Sequence, residues 1–428
     1  MALAESSLAF ALHGAAQVVA AVLGGRSLNE ALADQWQAQS HMPPGQRGAV
    51  QDLAYAALRR HGRDDFYIGR LMRKPPAAGL RALLLVSLAR LEARPAEAHT
   101  IVDQAVEAAG ALAHGRFKPV LNGVLRSFLR RRDELEALAR QDEAARWQHP
   151  RWWIARMRAA HPHHWQAILA AGNGRPPMSL RPNRRRIVPA DYLARLAADG
   201  LAARLLEDGA IRLDRPLPVE RLPGFAEGLV SVQDAGAQRA APLLDARAGM
   251  RVLDACAAPG GKAAHLLELA DVELLALDAD SDRARRITEN LDRLGLEARV
   301  AAVDCRRLDA WWDGRLFDRV LADVPCTASG VVRRHPDAKW LRREADIAQF
   351  AGMQAAILDA LWQVLAPGGK LLYATCSLFP EENAHQAAAF AARQGDCSQL
   401  PIQGEPGLQL LPNEEHDGFF YALLQKRA

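Results

Sequence analysis

The sequence predicts a multidomain protein that closes in an α/β domain built on a doubly wound, mostly parallel sheet, and three observations predict it. Residues 251–254, 273–278, 298–304, 317–323 and 370–375 are short apolar runs separated by helical segments, the rhythm of a parallel sheet covered on both faces. Four of these runs end in aspartate, at Asp254, Asp278, Asp304 and Asp323. Strands of an open sheet aim their carboxyl ends at the ligand crevice, so these carboxylates are expected around one site. Ahead of them, residues 6–140 are rich in Ala and Leu with an apolar period near that of a helix, which specifies an all-α front.

Composition bounds the rest. The chain has 428 residues, 50% of them apolar and 24% charged, enough for two or three packed domains and unlike a disordered protein. A net charge of +4 is too mild to name a partner, so local arginine clusters are the better guide. Five cysteines, at 256, 305, 326, 376 and 397, form no Cys-x-x-Cys pair. Neither a zinc ribbon nor a disulfide framework is suggested, and a reducing compartment fits. Glu5 stands where a signal peptide would be basic, and no run of 18 apolar residues occurs. A soluble, cytoplasmic protein that engages no membrane is therefore expected.

Taken in order, residues 1–140 read as a helical domain punctuated at Gly24-Gly25, Pro43-Pro44-Gly45, Pro75-Pro76 and Pro95. Its basic edge, from Arg116 to the cluster Arg130-Arg131-Arg132, suits either RNA or plain solvation. Residues 141–229 form a small α+β linker domain. Here Trp152, Trp153 and Trp165 read as hydrophobic anchors, and His161, His163 and His164 as solvated surface. Arg175, Arg181, Arg184, Arg185 and Arg186, with no acid among them, read as contacts for backbone phosphates. Residues 230–428 are the α/β domain, and its tail, 408–411 and 419–424, reads as a closing hairpin.

The chemistry starts after the first strand. Cys256, Ala257, Ala258, Pro259, Gly260, Gly261 and Lys262 form a glycine-bearing turn into a helix, where the backbone can approach a ligand and free N–H groups meet an anion. A P-loop requires Gly at Cys256 and Ser or Thr at Ala263, and Gly-x-Gly-x-x-Gly is absent. A ligand with a carboxylate and a ribose remains, Asp278 being placed for the ribose hydroxyls. S-adenosyl-L-methionine has both groups. Cys326 follows the fourth strand and Cys376 ends the fifth, and parallel neighbours about 5 Å apart bring both thiols to one pocket. Cys305 and Cys397 read as packing. Two thiols beside a methyl donor suit cytosine, whose carbon 5 becomes nucleophilic once a thiolate has added at carbon 6. Asp323 can assist at ring nitrogen 3.

Two resemblances complete this reading. The segment from Ala98 to Val106 and the run Arg116-Phe-Lys-Pro-Val-Leu-Asn-Gly-Val-Leu-Arg126 resemble the NusB family, which implies an RNA-contacting helical module. The turn ending at Lys262, Asp323-Val-Pro-Cys-Thr327, Arg333-Arg-His-Pro-Asp337 and Tyr373-Ala-Thr-Cys-Ser377 resemble the Sun-type RNA cytosine-C5 methyltransferases. Together they resemble the bacterial 16S ribosomal RNA methyltransferase B (RsmB) family along nearly the whole chain. That resemblance implies a Rossmann-like class I methyltransferase with a mostly parallel seven-stranded sheet, acting as a monomer on small-subunit (16S) ribosomal RNA. S-adenosyl-L-methionine would be the methyl donor, and no metal would be used. Cys376 would be the nucleophile, and Cys326 would assist proton removal and enzyme release. Residues Cys256 to Lys262 would hold the methionine part of the donor, Asp278 its ribose and Asp304 its adenine, with Asp323 between donor and cytosine. Ala263, Val324 and Thr327 depart from the family's usual residues without removing a reacting atom. Competing readings are a DNA-type enzyme in which Cys326 attacks, a methyltransferase for another RNA, and a non-catalytic ribosome-assembly factor with a vestigial donor pocket.

Overall fold

A computed structural model describes residues 3–428. It divides into two compact units, the chain up to Gly174 with Val332–Glu344, and Arg175–Val331 with Ala345–Ala428.

The first unit is helical, and its helices stop where the sequence punctuates them. Leu8–Leu23 ends at Gly24. Leu28–Ala38 opens with a capping box in which Ser27 and Glu30 satisfy each other's backbone amides. Pro44–Leu71 carries proline in its first turn. Ala78–Ala93 buries residues around its whole circumference, which makes it the central helix of the bundle. Residues 332–344 belong to this unit and are anchored by polar groups. Asp337 Oδ2 accepts from the Leu28 amide at 2.9 Å, and Trp340 Nε1 donates to the Leu58 carbonyl at 2.8 Å. The fully buried Lys339 donates to Arg59 O, Gln148 O and Asn173 Oδ1 at 3.2, 3.1 and 2.8 Å. Trp153 is buried and packs against Trp152, while Trp147 packs against Trp165. These tryptophans are the anchors their spacing predicts.

The second unit holds two sheets. The smaller is antiparallel, made of β1 (Met178–Pro182), β2 (Ala203–Leu205), β3 (Ile211–Leu213) and β4 (Val230–Val232) in the order β2-β3-β1-β4. The larger has eight strands: β5 (Arg251–Asp254), β6 (Glu273–Asp278), β7 (Arg299–Ala302), β8 (Phe317–Asp323), β9 (Leu365–Thr375), β10 (Cys397–Leu400), β11 (Leu408–Leu410) and β12 (Phe419–Lys426). Seven run in the order β10-β12-β9-β8-β5-β6-β7, with β11 paired to β12. The pairings among β5 to β9 are parallel, and those of β12 are antiparallel.

Alternation along these strands gives one core on each face of the sheet. Val252, Leu274, Leu321 and Leu372 pack with the helix Gly261–Leu269, whereas Leu253, Leu275, Val320 and Leu371 pack with Ala345–Val364. Strand order reverses at β5, which has β6 on one side and β8 on the other, so a crevice opens beyond their carboxyl ends.

The structure amends three expectations. The strand expected over 298–304 is shorter and half-exposed, because β7 is an edge, so Asp304 lies just past its end. β10 was not anticipated, since its sequence, Cys-Ser-Gln-Leu, is short and polar. Arg181 is not a phosphate contact. It points inward from β1, pairs through two nitrogens with Glu268 at 2.9 and 2.8 Å, and donates to the Gly261 carbonyl at 2.7 Å. Arg184, Arg185 and Arg186 remain exposed.

Candidate active site

The turn between β5 and its helix is tied down by backbone bonds on both flanks. Ala255 N–H donates to Leu321 O at 2.9 Å and Ala257 N–H to Leu277 O at 2.8 Å. Gly260 adopts φ +96°, and a Cβ there would lie 3.1 Å from Ile287 Cα, so only glycine fits. The helix starts at Gly261, two residues earlier than its sequence suggests. Asp278 is almost wholly buried; it accepts from Ala258 N at 3.2 Å and Asp280 N at 3.1 Å and pairs with Arg283 at 3.5 Å. Asp304 grips Arg306, whose hydrogen bonds hold its carboxyl below the usual carboxylate range.

Lys262 projects from this turn to Asp323 at the end of β8, Nζ to Oδ2 2.6 Å. Burial works against its charge, but the Asp323 carboxylate outweighs burial and holds the ammonium above its ordinary value. Asp254 lies fully buried at the end of β5, and neither carboxylate oxygen has a side-chain partner. Burial first, then the charges of Asp323 and Asp278, push its pKa up to about 8.

β8 and β9 are parallel neighbours with Asp323 opposite Ala374, and this register delivers the thiols together. Cys326 Sγ and Cys376 Sγ are 3.2 Å apart. Cys326 is 7% exposed and Cys376 more open. Contact with the second sulfur, burial and the nearby Glu382 carboxylate all raise the Cys326 thiol well above its ordinary value. Lys262 also feels the charge of Cys376, so turn, ion pair and thiols form one electrostatic unit. Cys397 is packed under the sheet, its thiol raised to about 11 by burial. Cys305 does more than pack. A hydrogen bond joins it to Cys256, lowering Cys305 and raising Cys256.

Sequence reasoning missed the polar shell under the thiols. Glu382, Asn383 and Gln354 are buried there, yet nothing in Pro380-Glu-Glu-Asn383 separates it from an exposed turn. Among the described residues, no cluster of three or more His, Cys, Asp or Glu could hold a metal ion.

Comparison with known proteins follows the same division. Residues 241–425 match the family described as 16S rRNA methyltransferase RsmB/F, residues 149–220 the ferredoxin-like domain of RsmF/B-like methyltransferases, and residues 11–130 the NusB family. The ribosomal RNA small subunit methyltransferase B of Vibrio cholerae is 43% identical over 411 residues, 94% of each chain. Among solved structures, a methyltransferase homologue from Pyrococcus horikoshii is similar with TM-score 0.59 and 29% identity, covering 66% of this chain and 97% of that one. NSun6 from Pyrococcus horikoshii with SFG shares the fold, with TM-score 0.58 and 20% identity over 65% of this chain and 98% of its own. On an alignment of this extent and identity, the chain belongs to the RsmB/F family of 16S rRNA methyltransferases.

Proposed function

We propose that this protein methylates carbon 5 of a cytosine in small-subunit (16S) ribosomal RNA, with Cys376 as nucleophile, Cys326 as the releasing thiol and S-adenosyl-L-methionine as donor. The observation that carries this reading is the thiol pair, 3.2 Å apart on adjacent parallel strands beside the Lys262–Asp323 ion pair. A single strand-end thiol suits many reactions. Two within reach of one base suit a reaction that requires both addition and elimination.

The crevice fits the donor. Asp254 is a buried carboxyl without a side-chain partner, its pKa raised first by burial and then by the charges of Asp323 and Asp278, and a cationic ligand favours its ionised form. S-adenosyl-L-methionine carries an ammonium and a sulfonium and supplies an electrophilic methyl group. Residues 256–262 would hold its methionine part, Asp278 the ribose and Asp304 the adenine. The Cys376 thiolate adds to carbon 6 as ring nitrogen 3 takes up a proton, which Asp323, held beside Lys262, is placed to relay from solvent. Once carbon 5 has bonded to the methyl group, whose bond to the donor's sulfur breaks with the electron pair going to that sulfur, the carbon-5 proton leaves with the assistance of Cys326. The 5,6 double bond re-forms, and the sulfur of Cys376 departs as thiolate.

We assign three tasks along the chain: residues 230–428 perform the transfer, while 1–140 and 141–229 grip RNA through exposed arginines such as Arg126 and Arg130 on the helix Lys118–Arg130 and Arg184 and Arg185 beyond β1. The protein would work as a cytoplasmic monomer. No helix among the described residues is long and apolar enough to cross a membrane. Labelled donor and small-subunit RNA test the assignment. Cys376→Ala should abolish methyl transfer, and Cys326→Ala should accumulate a covalent protein–RNA adduct. Full activity in Cys376→Ala, with Cys326→Ala inactive and no adduct, would reverse the two roles.

A further inference from the structure

Beneath the two thiols lies a carboxylate with no exposure to solvent, Glu382, in the 3-10 turn Pro380–Glu382 after β9. Its four acceptor positions are filled by four donors. Oε1 takes the Thr327 amide at 2.9 Å and Gln354 Nε2 at 3.2 Å. Oε2 takes the hydroxyls of Thr327 and Ser377, both at 2.5 Å. Thr327 directly follows Cys326, and Ser377 directly follows Cys376. One carboxylate therefore clasps both thiol-bearing turns. Gln354, itself buried, extends the grip to the Pro325 carbonyl at 2.9 Å. Asn383 closes the other side, accepting from Thr375 Oγ1 at 2.6 Å and donating to Ser377 O at 2.8 Å.

Every group facing Glu382 donates and none accepts, so this is a site built for the ionised form. Burial raises its pKa, while the Ser377, Thr327 and Gln354 bonds oppose that rise. A charge fixed here counts among the groups that raise Cys326.

We propose that Glu382 is a positioning residue with two effects. It sets the spacing of the two sulfurs by pinning the residue after each, and its negative charge keeps the proton on Cys326. Cys326, the thiol not assigned to attack, then keeps its proton while the addition at carbon 6 takes place. The division of labour between two chemically identical side chains thus originates in a third residue that touches neither the RNA nor the donor. This rests on the cysteine assignment above.

Glu382→Gln is the informative variant, because an amide of the same shape retains an acceptor and the Thr327 and Ser377 hydroxyls can turn to meet its N–H groups, while the charge is gone. Iodoacetamide labelling of each cysteine against pH, resolved by mass spectrometry, reads the charge without any requirement for turnover. The midpoint for Cys326 should fall by about one pH unit or more in Glu382→Gln. Identical Cys326 curves in wild type and Glu382→Gln overturn the proposal. Steady-state assays read the positioning. Glu382→Ala, which releases both turns, should lose ~10²-fold in kcat with the donor KM within about threefold, and Glu382→Gln should fall between it and wild type. Should Glu382→Ala not fold, Glu382→Asp, too short to span both turns, takes its place. A kcat per folded molecule equal to wild type in the shortened variant also overturns the proposal. An inactive wild type would instead count against the cysteine chemistry, and the labelling curves would still judge Glu382.

Discussion

Asp254 offers the sharpest test of how the crevice is charged. Its carboxyl is fully buried, and its pKa is pushed up to about 8 from an ordinary 3.8. At about 1.4 kcal/mol per pH unit, that displacement corresponds to roughly 6 kcal/mol between the two protonation states. The sign follows from linkage. Between about pH 4 and 8 the folded protein holds a proton that the unfolded chain has released, so stability is greatest near pH 4 and falls until the folded group ionises near 8. Asp254→Asn keeps the shape and removes the titration. Because the chain forms two units, a single global unfolding curve is the wrong observable. Hydrogen exchange of peptides covering 251–262 reports local opening of β5 and its turn. Protection in wild type, corrected for intrinsic exchange, should fall by up to ~4 kcal/mol from pH 5 to 9 relative to Asp254→Asn. A cationic donor favours ionised Asp254, so donor affinity should climb as pH rises from 6 to 8 in wild type, by at most about tenfold per pH unit, and stay level in Asp254→Asn. Parallel pH profiles for the two proteins would refute the reasoning.

Other perturbations test the supports of the site. Glu268→Gln strands the buried Arg181 guanidinium and should cost about 3–5 kcal/mol in urea unfolding of the catalytic unit. Since Arg181 also holds the Gly261 carbonyl, the donor KM should rise more than kcat falls. Gly260→Ala forces a side chain into a left-handed turn against Ile287; a strain of about 1–3 kcal/mol should weaken donor binding by roughly tenfold or more in calorimetry. Lys339→Met removes the donor shared by three part-buried acceptors and should destabilise the helical unit by about 1–3 kcal/mol, visible as a lowered thermal midpoint.

What the sequence disclosed and what it concealed follow from the range of the interactions involved. Strand periodicity is local, so β5, β6, β8 and β9 could be placed to within a few residues, with Asp254, Asp278 and Asp323 at their ends. Parallel pairing of consecutive strands then brought Cys326 to Cys376 by topology alone, without any knowledge of side-chain conformation. Edges were harder. β7 and β10 have one neighbour each, and half-buried strands carry only half the apolar signal.

Buried polar groups were the least legible, because their meaning lies in partners far away along the chain. Arg181 reads as one of five arginines in a basic, proline-broken stretch, yet its partner Glu268 lies 87 residues on. Asp337 closes a motif run and Lys339 follows it, but both find partners in the helical unit, Lys339 in the carbonyl oxygens of Arg59, Gln148 and Asn173 and Asp337 Oδ2 in the amide of Leu28. Glu382 looks like half of a surface Glu-Glu pair, and only folding reveals that residues 327, 354 and 377 converge on it. The same physics explains why these groups matter. An unsatisfied charge in the interior costs several kcal/mol, so a buried carboxylate persists only where its donors are held in place, and donors held in place fix the backbone that bears them. In this site that backbone carries the two cysteines. A property written in composition as a mere charge therefore serves, in the fold, to set the spacing of the thiols and to hold the proton of Cys326.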